Sequence, residues 1–266
     1  MNILMIPSGE GSLGNCDEHG PSQVRKYLDR FYTSESGQRK EYTFKEIKCP
    51  KNEFYAINNN IQESVRLQKD PFIALGGDHS ITYPILKALH EKKRKEKKKI
   101  GFVVLDAHAD LMDDFRPPSH EDYLRVLIEE KILDPEQVII IGLRNVDIQE
   151  REYIKKHNLI TFDMKRIAQE GIQEIMDNVT QTVNAWDGFY LSVDIDVIDP
   201  SFAPGTGYRE PGGLSSREAI WMIQRLINSK KIIGGDLVEI NKKNDIEDMS
   251  AILGAKILNE MSFFIE

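Results

Sequence analysis

The chain has 266 residues, enough for one large α/β domain with an ample core or two small ones. A hydrophobic fraction of 40% and a charged fraction of 29% are those of an ordinary globular protein, and no apolar run approaches the length of a membrane span. The net charge of −8 argues against nucleic acid as a partner, and two cysteines, Cys16 and Cys49, behind a start without the basic flank of a signal peptide, read as free thiols in a reducing, cytoplasmic setting.

Short apolar runs alternate with longer amphipathic ones. In chain order the expected strands are 2–6, 42–48, 72–75, 100–105, 137–141, 159–161, 188–193 and 232–239. The expected helices between and after them are 21–31, 53–68, 81–92, 120–130, 147–156, 171–185, 215–227 and 248–263. Pro21 suits a first helical turn, and Ser215 or Ser216 followed by Glu218 suits a helix start. The basic run 91–99, EKKRKEKKK, reads as the solvated end of the helix that begins near residue 81. This alternation, with no internal repeat or long linker, implies a single domain over 1–266 built on a parallel sheet covered on both faces. The most irregular stretches are 9–20, 112–119 and 199–213, each after a strand or before a helix. In such sheets ligands bind at the carboxyl ends of the strands.

The acidic and histidine clusters fall at those ends. Leu75-Gly76-Gly77-Asp78-His79-Ser80 follows the third strand, its two glycines allowing a sharp turn and close backbone approach. Asp106-Ala107-His108-Ala109-Asp110 follows the fourth; alternate positions of an extended backbone point to one side, which gathers two carboxylates and an imidazole. Without a cation these groups would repel and desolvate one another, and hard divalent ions suit such donors. Asp194 and Asp196 alternate in the same way after the strand FYLSV, while Val193, Ile195 and Val197 face the core, and Asp199 before Pro200 reads as a turn cap. A pair of divalent ions sharing these four carboxylates with a bridging hydroxide leaves one net negative charge, which favours a cationic substrate. No cysteine lies in any cluster, so a thiolate zinc site is excluded.

These segments closely resemble the ureohydrolase family of arginases, agmatinases, guanidinobutyrases and formiminoglutamases. The three family signatures stand in order as GGDHS (76–80), DAHAD (106–110) and SVDIDVIDPSFAPGTG (192–207). The likeness continues in GPSQVRKYL (20–28), IGLRNVD (141–147), GGLSSREA (212–219) and GGDLVEIN (234–241), so it covers nearly the whole chain. The resemblance implies a three-layer α/β/α fold with a mostly parallel sheet of about eight strands. It implies a pair of Mn²⁺ ions, one on His79, Asp106, Asp110 and Asp194, the other on His108, Asp106, Asp194 and Asp196. It implies metal-assisted hydrolysis of a guanidino-type carbon with release of urea, in which Asp110 relays a proton to the leaving amine. Glu239 would pair with the substrate guanidinium as a strong fork-like contact. His120 would assist proton transfer from the first turn of a helix starting near Ser119, where the helix dipole favours a neutral imidazole; Glu121 follows it where the family has a glycine. The resemblance also implies a homo-oligomer, trimer or hexamer.

The substrate is less constrained. Met112 stands where arginases carry an asparagine, Arg116 and Pro118 replace small polar residues, and APGTG is the agmatinase form, all against arginine. Asp147 matches an arginase residue that contacts the α-amino group, and the compact start is arginase-like. Arg116 is a candidate anchor for the carboxylate of a guanidino acid and, equally, a surface ion-pair residue. A formiminoglutamase-like hydrolase is the alternative. A dinuclear phosphoesterase would need more than the six histidines present, and a silent metal-binding relative would not keep every ligand and Glu239.

Overall fold

In the computed structural model, which describes residues 1–12, 14, 18–68, 71–96, 98–113 and 115–264, strands and helices alternate as the patterning requires. The order is β1 (Asn2–Ile6), α1 (Gly20–Tyr27), β2 (Thr43–Glu46), α2 (Phe54–Arg66), β3 (Phe72–Gly76), α3 (Thr82–Lys95), β4 (Ile100–Leu105), α4 (Tyr123–Glu129) and β5 (Val138–Ile141). It continues α5 (Ile148–His157), β6 (Ile160–Phe162), α6 (Met164–Glu170), α7 (Ile172–Asn184), β7 (Gly188–Asp194), α8 (Ser216–Ile227), β8 (Ile232–Val238) and α9 (Met249–Met261). Cys16 lies outside the described residues, whereas Cys49 is an unpaired thiol that burial pushes up to about 12.

The strands form one eight-stranded sheet in the order β2-β1-β3-β8-β7-β4-β5-β6, and every pairing is parallel. Successive strand residues face opposite layers, as the period of two demands. Ile3, Ile73, Val103, Ile139 and Leu191 pack against α1 and α6–α9. Leu4, Ala74, Val104, Ile140 and Tyr190 pack against α2–α5. The result is the three-layer α/β/α fold, with a sheet that is wholly rather than mostly parallel. No helix among the described residues is long and apolar enough to cross a membrane.

Three local outcomes depart from the expected elements. The segment Met164–Glu170 forms α6, a helix missing from the expected set: the Asp163 carboxylate accepts the Arg166 N–H at 2.7 Å, and Gly171, with φ 89°, divides α6 from α7. Helix α3 runs on to Lys95, into the basic run, where Lys93 and Lys98 pair with Glu96 at 3.0 and 3.1 Å. Helix α4 begins at Tyr123, not near Ser119, because Asp122 accepts the Ser119 N–H at 2.6 Å and hydroxyl at 2.7 Å and ties that stretch into a turn.

Candidate metal centre

The four central strands, β3, β8, β7 and β4, all end at one place. The turn out of β3 passes so close to β1 that a Cβ on Gly77 would lie 2.0 Å from the Ser8 carbonyl oxygen, so only glycine fits. Asp78 is spent on that turn, accepting the N–H groups of Gly11 at 2.8 Å and Ser80 at 2.9 Å. His79 is thereby presented at the strand end.

The carboxylates of β4 and β7 share one arrangement: each fixes one oxygen on a main-chain N–H and turns the other toward the centre. Asp106 accepts the His108 N–H on Oδ1 at 2.7 Å, and its Oδ2 lies 3.1 Å from His79 Nδ1. Asp194 accepts the Asp196 N–H on Oδ1 at 2.8 Å, and its Oδ2 lies 3.2 Å from the same nitrogen. Asp196 accepts the Ala107 N–H on Oδ1 at 3.1 Å, and its Oδ2 lies 2.9 Å from His108 Nδ1. Asp110, held in the left-handed region with φ 53°, brings its own Oδ2 to 3.2 Å from His79 Nδ1. A non-glycine residue in that region is uncommon and marks a constrained site.

Behind His79, Asp236 accepts the hydroxyls of Thr82 at 2.7 Å and Ser192 at 2.5 Å. His79 Nε2 in turn lies 2.8 Å from Ser192 Oγ and 3.0 Å from the Tyr123 hydroxyl. With Nε2 so engaged, Nδ1 is the nitrogen that faces the centre. Nδ1 is buried, has no hydrogen-bond partner, and faces three carboxylate oxygens. A buried nitrogen ringed by carboxylate oxygens needs a cation among them. Two donor sets, His79/Asp106/Asp194 and Asp106/His108/Asp196, each gather their atoms within 4.8 Å and share Asp106. Imidazoles and carboxylates without thiolates suit a divalent ion of the Mn²⁺ type, so the residues fit the implied metal.

The electrostatics carry the same message. Burial and then the Asp106 carboxylate push Asp110 up to about 8. Burial, Asp196 and Asp106 raise Asp194 well above the carboxylate range. Burial would raise Asp196 too, but the His108 charge beside it holds it below its ordinary value. His108 in turn, against the effect of burial, is driven to about 11 by Asp196. So many buried like charges titrate high because protons substitute for missing countercharge.

Over this centre lies a cavity of about 300 Å³. Glu239 sits in it just past β8, also in the left-handed region with φ 64°, its N–H on the Gly77 carbonyl at 2.7 Å. Its Oε1 accepts the His79 N–H at 2.8 Å and lies 3.1 Å from His120 Nδ1. His120 does not stand in the helix expected from the sequence. It occupies the turn before α4, with its N–H on the Gly11 carbonyl at 3.0 Å, and so lies outside the first helical turn. Although burial works against the charged form, Glu239 drives His120 up to about 9, a protonated rather than neutral imidazole.

Asp147 lines the cavity while capping α5: its Oδ1 accepts the Gln149 N–H at 2.8 Å, and Glu150 returns a bond to the Asp147 N–H at 2.9 Å. Arg116 is not in the cavity wall; it pairs with Glu130 at 2.5 Å. Asp199 caps its turn by accepting the N–H groups of Ser201 at 3.0 Å and Gly212 at 2.7 Å. The sequence reading missed Glu150, whose Oε1 accepts the Leu111 N–H at 3.0 Å and ties α5 to the DAHAD segment; the Asp147-to-Glu150 capping spacing was the available signal. It also missed Ser192, Asp236 and Tyr208, which carry no local signal.

A profile described as the arginase family matches residues 1–263. Over 210 residues the chain is 35% identical to an arginase of Staphylococcus aureus, covering 73% of this chain and 68% of that one. Over 221 residues it is 35% identical to a guanidinobutyrase of Pseudomonas aeruginosa, covering 77% of this chain and 67% of that one. Its fold is similar to the crystal structure of an arginase from Bacillus subtilis, with a TM-score of 0.85 and 26% identity over 98% of this chain and 97% of that one.

Proposed function

The chain belongs to the arginase family, and on that premise we propose that it hydrolyses the guanidino group of a small cationic compound and releases urea, using a pair of Mn²⁺ ions. The observation that carries this is the sharing of Asp106 by two donor sets directly beneath a cavity that also holds Glu239. His79, Asp106, Asp110 and Asp194 would hold one ion, and His108, Asp106, Asp194 and Asp196 the other. Bound there, the pair supplies Lewis-acid activation of water near neutral pH.

The chain's own groups do the rest. Glu239 pairs with the guanidinium and fixes its plane. Asp110 accepts a proton from the attacking water and passes it toward the leaving nitrogen. His120, protonated and oriented through Nδ1 by Glu239, supplies a proton to the departing amine. No Lys or Arg lines the cavity among the described residues, while Asp147, Glu150 and Glu121 do. A free carboxylate on the far end of the substrate would meet like charge, and Arg116 is paired elsewhere. This favours a guanidino compound ending in an amine over a guanidino acid or formiminoglutamate. The same reading places the chain in a reducing cytoplasm as a homo-oligomer, which light scattering measures.

The test is product release from agmatine, arginine, 4-guanidinobutyrate and formiminoglutamate with Mn²⁺ added. Urea is expected fastest from the amine-ended compound. No turnover of any of them, or turnover of phosphate esters alone, would sink the reading.

A further inference from the structure

We propose that Glu121 is the residue through which His120 exchanges its proton with solvent during turnover, with Tyr208 holding it in place. This rests on the reading of the site given above.

His120 has two ring nitrogens in different circumstances. Nδ1 is engaged with Glu239 at 3.1 Å. Nε2 is buried and has no hydrogen-bond partner. Leaving a buried donor unpaired is costly, so such an atom in a working site has a partner at another stage of its cycle. Facing Nε2 at 3.9 Å is Oε1 of Glu121. A change of side-chain rotamer closes that gap, and so does one intervening water.

The surroundings of Glu121 restrict it to that task. Its main chain is fixed at both ends: its carbonyl accepts the Met112 N–H at 3.0 Å, and its N–H donates to Ser119 Oγ at 3.3 Å. Only the side chain swings. Tyr208 donates its hydroxyl to Glu121 Oε1 at 3.3 Å, and its ring stacks on the His120 imidazole with centroids 6.0 Å apart and planes 26° apart. One tyrosine therefore covers the imidazole and keeps the carboxylate beside it. Exposure completes the path: the His120 side chain is 7% exposed and that of Glu121 34%. The His120 imidazole is thus nearly shut off from solvent, whereas the Glu121 carboxylate is open to it.

The step balances without any added reagent. The Nε2–H bond of the imidazolium breaks, an N–H bond forms on the leaving amine, and a neutral imidazole remains, still held through Nδ1. A solvent proton then binds the Glu121 carboxylate and passes from its oxygen to Nε2. Imidazolium and carboxylate are both restored. Glu121 acts through His120 and is a positioning residue for its proton.

The experiment compares the Mn²⁺-loaded wild type with Glu121→Gln, which keeps the size of the side chain and removes its exchangeable charge. kcat is expected to fall about tenfold, less than the loss of His120 itself, with KM changed by less than about twofold. Added imidazole, a small proton carrier, is expected to restore most of the lost kcat in the variant and to leave the wild type unaffected. Glu121→Asp, with its carboxylate on a shorter stem, is expected to be intermediate. An unchanged kcat, a fall that imidazole does not rescue, or a rise in KM at constant kcat would overturn the proposal, the last assigning Glu121 to substrate contact. A wild type that releases no urea from any guanidino compound overturns the underlying reading as well, and it does so before any variant is made.

Discussion

Glu239 Oε1 lies 3.1 Å from His120 Nδ1, and both residues are buried. The pair joins the end of β8 to the turn before α4 and gives His120 its raised titration point of about 9. For a histidine raised above its ordinary value of 6.5, the stabilisation is complete below 6.5 and is lost as pH climbs through the folded value. In the metal-free protein, Glu239→Gln should therefore drop the His120 titration point and abolish the loss of stability between pH 6.5 and about 9. Ring NMR titration and denaturant unfolding at the two ends of that window measure both. In the metal-loaded protein the same variant should keep its ions and bind a guanidinium more weakly by about 3–5 kcal/mol. An unmoved titration point removes the pair from the account.

Metal content separates the ligands. Wild-type protein is expected to take up a pair of divalent ions per chain by elemental analysis. Asp106→Ala removes the carboxylate common to both donor sets and should lose both ions, whereas His108→Ala should lose mainly one. A chain that never binds more than one ion contradicts the dinuclear reading.

Metal affinity should fall with pH. In the metal-free site Asp110 holds its proton up to about 8. A cation must displace that proton, so Mn²⁺ binding below about pH 8 releases protons and weakens as the medium becomes more acid. Calorimetry in buffers of different ionisation enthalpy counts the protons. At free metal near 100 times Kd each occupied site adds about 2.7 kcal/mol, which raises the thermal midpoint of a chain this size by several degrees. Binding that is indifferent to pH between 6.5 and 8.5, with no proton release, would contradict the raised Asp110.

Gly77→Ala tests the turn that presents His79. Its new methyl would sit 2.0 Å from the Ser8 carbonyl oxygen, which is main chain and cannot step aside cheaply. A loss of about 1–3 kcal/mol in urea unfolding is expected, together with weakened metal uptake. Full stability with full metal content would show that the β1–β3 contact is slack.

The strands and the donor residues were legible because each is written locally. Alternation in Asp106-Ala107-His108-Ala109-Asp110 follows directly from an extended backbone after a buried strand. Glu239, by contrast, was legible through the family resemblance alone, since nothing in VEIN shows that its carboxylate meets the His79 N–H. His120 was placed in a helix because the run after Pro118 is helix-like in composition, but Asp122 spends both oxygens on the preceding turn and delays the helix to Tyr123. Ser192 and Asp236, which stand behind His79 Nε2, come from strands 44 residues apart and meet only once β7 and β8 pair. Convergence of that kind has no signature along one chain.

The strand order has a consequence for synthesis. β8 is the last strand in the chain yet lies between β3 and β7. Without β8 the order leaves two groups of strands, β2-β1-β3 and β7-β4-β5-β6, each with an open inner edge. His79 belongs to the first and Asp106, His108, Asp110, Asp194 and Asp196 to the second. Insertion of β8 closes both edges at once and carries in Glu239 behind it. The ribosome thus delivers the keystone of this centre last, and a chain that ends before Ile232 lacks the strand that joins the two groups of ligands.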